Sequence, residues 1–123
     1  MTWNYLIAAA IMGFTAIVHL FAGELDVHRP LLRLAETPEM QLYVTVLWHF
    51  ISFYLLASTV VIAIAARSKN WRGAAKFAGM HSFGLAGLFI VVGLIHFQEV
   101  FTAPQWILLL PVGVLCLLPE RTK

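Results

Sequence analysis

Charged residues are scarce in this sequence: 8 lysines and arginines and 6 aspartates and glutamates stand among 123 residues, or 11% of the chain. Ordinary soluble domains are about 25% charged. A domain this small has too much surface for its volume to keep a very apolar composition away from water. Because 61% of the residues are hydrophobic and the mean hydropathy is +0.86, we predict that the chain has lipid as its solvent.

Cysteine is nearly absent as well. The single Cys116 excludes an intramolecular disulfide and a metal site built from several thiolates. It lies in a run rich in leucine and valine, where a buried and chemically inert thiol is expected. Histidine and carboxylate side chains are therefore the metal ligands that the sequence offers.

Four apolar runs are present, and we interpret them as membrane-spanning helices. The first three are long enough to cross a hydrocarbon core of about 30 Å at about 1.5 Å per residue. The fourth is short and contains Pro111, so we expect it to be kinked, to start earlier near Phe101, or to thin the bilayer locally. The predicted fold is an all-α integral-membrane four-helix bundle, one domain over residues 1–123, with spans at about 3–22, 43–66, 77–97 and 104–118.

The charges of the loops predict the orientation of the bundle. The loop at 67–76 carries four basic residues and no acid, which predicts a cytoplasmic location for this loop and for both termini. The loop at 23–42 holds four of the six acids, and the loop at 98–103 holds only Glu99, so both are expected outside. The basic stretch is a topology signal, and we expect the bilayer, other membrane subunits or further copies of the chain as partners, but no nucleic acid.

Two local signals mark the first predicted loop. Thr37 can cap a helix, Pro38 suits the first helical position and Glu39 favours the positive end of the helix dipole, so the second helix is expected to begin there. Arg29 and Pro30 are expected to break the chain, leaving either an irregular loop or a short amphipathic turn on the membrane surface.

Three histidines fall where apolar runs reach the outer side of the membrane. His19 and His96 end the first and third spans, and His49 lies about two turns into the second helix. Ionisable residues inside spans are rare and costly, so they are functional candidates. In a packed bundle, three neighbouring helices would bring these imidazoles together at the outer leaflet.

Two acids stand near these histidines. Glu99 follows His96 by three residues and is expected to share its helix face, whereas Glu24 follows His19 where the first helix is expected to be ending. Three histidines with a carboxylate are sufficient for copper, zinc or iron. The predicted metal ligands are His19, His49 and His96, with Glu99 or Glu24 completing the set or orienting an imidazole.

Other interpretations of the same residues stay open. A single outer haem b could be held by His96 with His19 or His49, and the same groups suit proton chemistry without a metal, because histidine titrates near neutral pH. The histidines could also make separate interhelical hydrogen bonds. His28, in the first loop but able to fold back, and His81 are each expected to be single hydrogen-bonding residues.

Three stretches carry a resemblance to known proteins: HLFAGE at 19–24, RPLL at 29–32, and WH at 48–49. They resemble a group of uncharacterised small four-helix proteins of the bacterial inner membrane, and the hydropathy layout is similar to the broad DoxX-like class. The resemblance covers roughly the N-terminal half. It implies a multi-pass bacterial inner-membrane protein with a four-helix bundle, and it carries over no catalytic role.

Three functional hypotheses follow from the sequence. The first is a small inner-membrane protein whose outer-leaflet histidines and glutamates bind a transition metal or one haem. The second is a non-catalytic accessory or assembly subunit of a larger membrane complex, which the small size and the recurring small residues suggest. The third is a small lipid- or quinone-processing enzyme that uses a histidine–glutamate acid–base pair.

Overall fold

Helices make up nearly all of residues 1–119, the part of the chain that this computed structural model describes. They join into four continuous helical segments. The first runs through α1 (Trp3–Val18), a π-helical stretch (His19–His28) and α2 (Arg29–Leu34); the second is α3 (Pro38–Ala65); the third joins a 3-10 turn (Lys69–Trp71), α4 (Arg72–Val92) and a π-helical turn (Gly93–Phe97); the fourth is α5 (Trp106–Leu117).

The four segments form a bundle, as the hydropathy pattern predicts. α1 packs against α3 and α5, and α4 packs against α5 and α3, so the helices surround one shared core. The backbone N–H of Thr2 donates to the carbonyl of Ala66, and Asn4 Nδ2 donates to the carbonyl of Pro119. These bonds gather the two ends of the described chain beside the loop that begins at Arg67, and we call this the basic end of the bundle. Residues 120–123, the last part of the tail predicted to be cytoplasmic, lie outside the described residues.

Three of the helical segments are long and apolar enough to cross a membrane, which indicates a membrane protein. The side chains agree, because many large apolar residues face outward, whereas alanines form much of the core together with Tyr5, Met12 and Ile62. Phe14, Phe53 and Ile95 are between 56% and 70% exposed, a pattern that is costly in water and favourable in lipid. The core contains fully buried alanines at positions 8, 65, 75 and 86.

The fourth segment is shorter than the predicted span at 104–118. α5 has 12 residues with Pro111 inside it, and a helix of that length extends only about 18 Å. It is therefore too short to cross a hydrocarbon core of about 30 Å by itself.

The first helix runs 12 residues past its predicted end at Ala22, so residues 23–34 of the predicted loop are helical, and the predicted break at Arg29 and Pro30 is wrong. Pro30 does not break the helix because it lies at the start of α2, directly after the π-helical stretch. There, the N–H of Arg29 donates to the carbonyl of Glu24, five residues back. This wider hydrogen-bonding pattern accommodates a residue that has no N–H of its own.

The predicted start of the second helix is confirmed. Thr37 has an extended backbone, and its side-chain oxygen accepts a hydrogen bond from the N–H of Met40 at 3.2 Å. Pro38 opens the helix and Glu39 lies in its first turn. The only chain left between the first two helices is residues 35–37, so α2 and the start of α3 form a tight hairpin.

α4 and α5 approach closely because two glycines lie at their crossing. A Cβ at Gly113 would lie 2.8 Å from the Cβ and 2.9 Å from the backbone nitrogen of Phe83, and a Cβ at Gly79 would overlap the Cβ of Cys116. Cys116 is fully buried, as its apolar surroundings predict. The contacts also define an antiparallel register in which Phe83 lies beside Gly113.

Candidate functional site

Aromatic and ionisable side chains meet where the π-helical stretch packs against α3. The Trp48 indole stacks on the His19 ring with centroids 4.1 Å apart and is parallel to the His28 ring at 5.4 Å. It covers Gly23, where a Cβ would lie 3.0 Å from the indole ring. We call this group, completed by Glu24 and His49, the Trp48 site.

The π-helical geometry brings His19 and His28 to the same indole. Nine residues of an α-helix turn by about 900°, which places two side chains on opposite faces. At about 4.4 residues per turn, the same nine residues of a π-helix make about two full turns and return to one face. The ten-residue π-helical stretch therefore builds the site, and such stretches are frequent at functional positions.

His28 is the most buried histidine of the site, with 4% of its surface exposed. Its Nδ1 lies 2.8 Å from the Oε2 of Glu24, one helical turn earlier, while Arg29 Nε lies 3.6 Å from the other oxygen. When Nδ1–H donates to the carboxylate, Nε2 of the neutral ring is an unprotonated acceptor. This Nε2 is buried and has no hydrogen-bond partner within residues 1–119, and the same holds for Nε1 of Trp48.

His49 completes the group from the exposed side of α3. Its ring centroid lies 5.6 Å from that of His28, in an edge-on arrangement at 68°. His19 Nε2 lies 3.4 Å from the carbonyl of Trp48, and His49, Glu24 and His28 are all close enough to act on His19 electrostatically. Of the five predicted site residues, the fold thus brings His19, His49 and Glu24 together.

His96 and Glu99 are placed elsewhere, and the expectation that they share a helix face is wrong. The helix ends at Phe97, because Gln98 adopts the left-handed conformation at φ 54°, which turns Glu99 off the helix axis. His96 is exposed and contacts the ring of Phe97; within the described chain it has no ring contact or hydrogen bond with another histidine.

The Glu99 carboxylate instead holds the segment that follows. It accepts hydrogen bonds from the Thr102 hydroxyl and from the backbone N–H of Phe101. These bonds stabilise the ionised form, the one from Thr102 most strongly, and they hold the pKa of Glu99 below its usual value. Glu99 therefore stabilises the local fold of the 98–105 segment through these hydrogen bonds.

The Trp48 site lacks a preformed set of metal ligands. Among residues 1–119, no three histidine, cysteine, aspartate or glutamate side chains are arranged to hold one ion. The Trp48 indole explains why His19 and His28 do not form such a set. It stacks against both rings and so occupies the space in which an ion or a haem shared by them would have to lie. Ligation of copper, zinc, iron or haem by the predicted residues stays a prediction.

His28 was expected to be a single hydrogen-bonding residue in a loop, within reach of the site but outside the predicted ligands, because Pro30 two residues later predicted a break in the helix. The signal that could have found it is the spacing of Glu24 and His28, four residues apart, which joins an acid and an imidazole on any helix. His81, by contrast, behaves as expected: its Nδ1 lies 3.0 Å from the carbonyl of Phe77, so it is a single hydrogen-bonding residue on α4.

Comparison of the chain with protein-family models, with curated proteins and with solved structures finds no match. The resemblance to small four-helix inner-membrane proteins and to the DoxX-like layout therefore stays an expectation from the sequence. Any functional inference has to come from the geometry of the site itself.

Proposed function

We propose that this protein is a small multi-pass membrane protein in which the Glu24–His28 pair performs acid–base chemistry on a lipid- or quinone-class molecule. One observation carries the proposal: His28 is anchored by Glu24 at 2.8 Å, while its other nitrogen is buried and has no partner within the described chain. The sequence placed this chemistry beside His49 and Glu99, whereas the fold pairs His28 with Glu24.

The energetics favour a functional role for this arrangement. A buried polar atom without a hydrogen bond costs about 1–3 kcal/mol, and such atoms in native structures call for an explanation. A carboxylate on Nδ1 fixes the tautomer and orientation of an imidazole and leaves Nε2 to accept a proton or a hydrogen bond. The exposed His49 ring lies beside His28, with the two ring centroids 5.6 Å apart, and places a second imidazole at the surface next to the buried pair.

The proposed location is the outer boundary of the membrane. Trp48 stands 17 residues before Ala65, which ends α3 at the basic end, and 17 residues of α-helix span about 25 Å. With the basic end on the cytoplasmic side, the site would lie close to the far edge of a core of about 30 Å. A membrane-soluble molecule with a polar head could contact the exposed His49 ring of the site there.

The test measures how tightly a short-chain benzoquinone binds to the protein in lipid nanodiscs. Quenching of tryptophan fluorescence reports the binding. We expect His28→Gln to weaken binding at least tenfold, or about 1.4 kcal/mol, because the amide cannot reproduce the anchored acceptor. His81→Gln is the matched control and should bind like the wild type, since His81 lies on the surface of α4. Absence of binding by the wild type, or equal affinity of wild type and His28→Gln, would refute the quinone assignment.

A second candidate is a transition-metal site between His28 and His49, and their spacing favours it. Two imidazoles that bind one ion at about 2.0–2.1 Å have ring centres roughly 5–6.5 Å apart, and these two lie 5.6 Å apart. Glu24 would then be the carboxylate that orients a ligating imidazole. His28 and His49 would hold the ion, with the remaining positions open to water or to a group from outside this pair.

Elemental analysis by mass spectrometry distinguishes this candidate from the first. Near-stoichiometric copper, zinc or iron in the purified protein, lost in His49→Ala and retained in His81→Ala, is the expected result for a metal site. Iron would next require an absorption spectrum to separate haem from a mononuclear ion. Wild-type protein free of all three metals after purification and reloading would rule the metal site out.

A further inference from the structure

The segment at 98–105 turns back along the side of the bundle. The contact of Gly113 with Phe83 sets the antiparallel register of α4 and α5. Trp106, the first residue of α5, therefore lies level with about residue 90 of the third helical segment. That segment continues to Phe97, so 98–105 must return by about seven residues, or about 10 Å. The N–H of Glu99 donates to the carbonyl of Gly93, and a Cβ at Gly93 would lie 2.7 Å from the carbonyl oxygen of Glu99, so the returning chain presses directly on the helix.

A groove lies between this returning segment and the helix. Its volume is about 470 Å³, within the range of about 300–1,000 Å³ that small-ligand sites occupy. One wall is a helical stripe of Leu85, Leu88, Phe89 and Val92, and the other comes from residues 97–103. The surface of the lining is almost wholly apolar, and Glu99 is the one charged residue among those that contribute to it.

The Glu99 carboxylate has acceptor capacity left and no neutralising partner. A carboxylate offers about four lone-pair positions, and the hydrogen bonds from the Phe101 N–H, the Thr102 hydroxyl and the Thr102 N–H occupy three of them. Glu99 is exposed and, within residues 1–119, forms no ion pair with lysine, arginine or histidine. An unpaired negative charge at the edge of an apolar groove is complementary to a molecule with a hydrocarbon chain and a cationic head.

We propose that this groove binds a phospholipid whose head group carries a primary ammonium. The hydrocarbon chain would lie along the Leu85–Val92 stripe, and the ammonium would donate to Glu99. The location supports a lipid occupant: Phe89 stands 17 residues after Arg72 at the basic end, or about 25 Å along the helix, which is the depth proposed for the Trp48 site. The proposal uses none of the residues of the Trp48 site and stands or falls independently of the acid–base function.

Native mass spectrometry of the protein, reconstituted in equal parts of phosphatidylethanolamine and phosphatidylglycerol and then gently released, tests the proposal. We expect the wild type to retain phosphatidylethanolamine at least fivefold over phosphatidylglycerol. Glu99→Gln should abolish this preference, because it removes the charge while keeping an acceptor. Glu36→Gln is the matched control, an exposed acid in the 35–37 turn away from the groove, and should keep the preference.

A second pair of variants tests the groove without touching the charge. Leu88→Trp fills the groove and should reduce lipid retention at least threefold, whereas Leu94→Trp, an exposed residue outside the lining, should leave it unchanged. Equal retention of both lipids by the wild type, an unchanged preference in Glu99→Gln, or full retention in Leu88→Trp would each overturn the proposal. Helicity measured by circular dichroism confirms that each variant is folded before it is compared.

Discussion

Gly113→Ala should separate α4 from α5, and the structure allows the size of the effect to be estimated. The added Cβ would lie 2.8 Å from the Phe83 Cβ, 2.9 Å from the Phe83 nitrogen and 3.0 Å from the carbonyl oxygen of Gly79. All three atoms are held by the α4 backbone, so no side-chain rotation can relieve the overlap. Carbon atoms pack at about 3.5–4.0 Å, so the helices must move apart by roughly 1 Å at this point.

A gap of that size weakens the whole α4–α5 contact. Opening a packed interface by about 0.5–1 Å forfeits a quarter to a half of the dispersion energy of each atom pair, and overpacking a core costs about 1–3 kcal/mol. Because the overlapping atoms cannot yield individually, we expect a loss of about 2–3 kcal/mol in the free energy of unfolding.

The control is Gly84→Ala on α4, where an added Cβ meets nothing within 4 Å. Alanine is the better helix former by about 0.5–1 kcal/mol, so this variant should be as stable as the wild type or slightly more stable. Gly113 also lies inside a helix, so this gain applies to both variants, and they should differ by the overlap cost of about 2–3 kcal/mol. The assay is reversible unfolding in mixed micelles with increasing SDS, followed by helicity. Equal midpoints for the two variants would refute the assigned crossing of α4 and α5.

Three further predictions concern the helix start, the thiol and the orientation. Thr37→Ala removes the bond to Met40 and should lower the unfolding free energy by about 1 kcal/mol, with Thr37→Ser restoring most of it; an unchanged midpoint would contradict the capping role. Cys116 is fully buried, so a maleimide should label it only after denaturation, as intact-mass analysis would show; rapid labelling of the folded protein would contradict its place in the core. In a Cys116→Ser background, a membrane-impermeant maleimide applied to whole cells should label Glu36→Cys and spare Ser68→Cys if the basic end is cytoplasmic; the reverse pattern would invert the predicted topology.

The helical bundle and its apolar surface were accessible from composition and hydropathy, because burial in lipid demands long runs of apolar residues. The start of α3 was equally accessible, since Thr37, Pro38 and Glu39 act locally through capping and the helix dipole. The end of the first helix could not be predicted in this way. Pro30 predicts a break in an α-helix, and the π-helical hydrogen bonds that absorb it depend on the stretch His19–His28 as a whole.

Part of the candidate site, but not all of it, followed from the pattern of residues. His19, His49 and Glu24 were identified because ionisable groups beside apolar runs are unusual and costly. The sequence by itself thus determined the class of protein, the helical content and the residue types available for chemistry, all of which depend on local composition. The tertiary structure decided which of these residues meet: π-helical turns bring His28 to Trp48, and a left-handed Gln98 removes Glu99 from His96. Those outcomes depend on helical phase, where a small change in turn angle, summed over nine residues, moves a side chain to the opposite face.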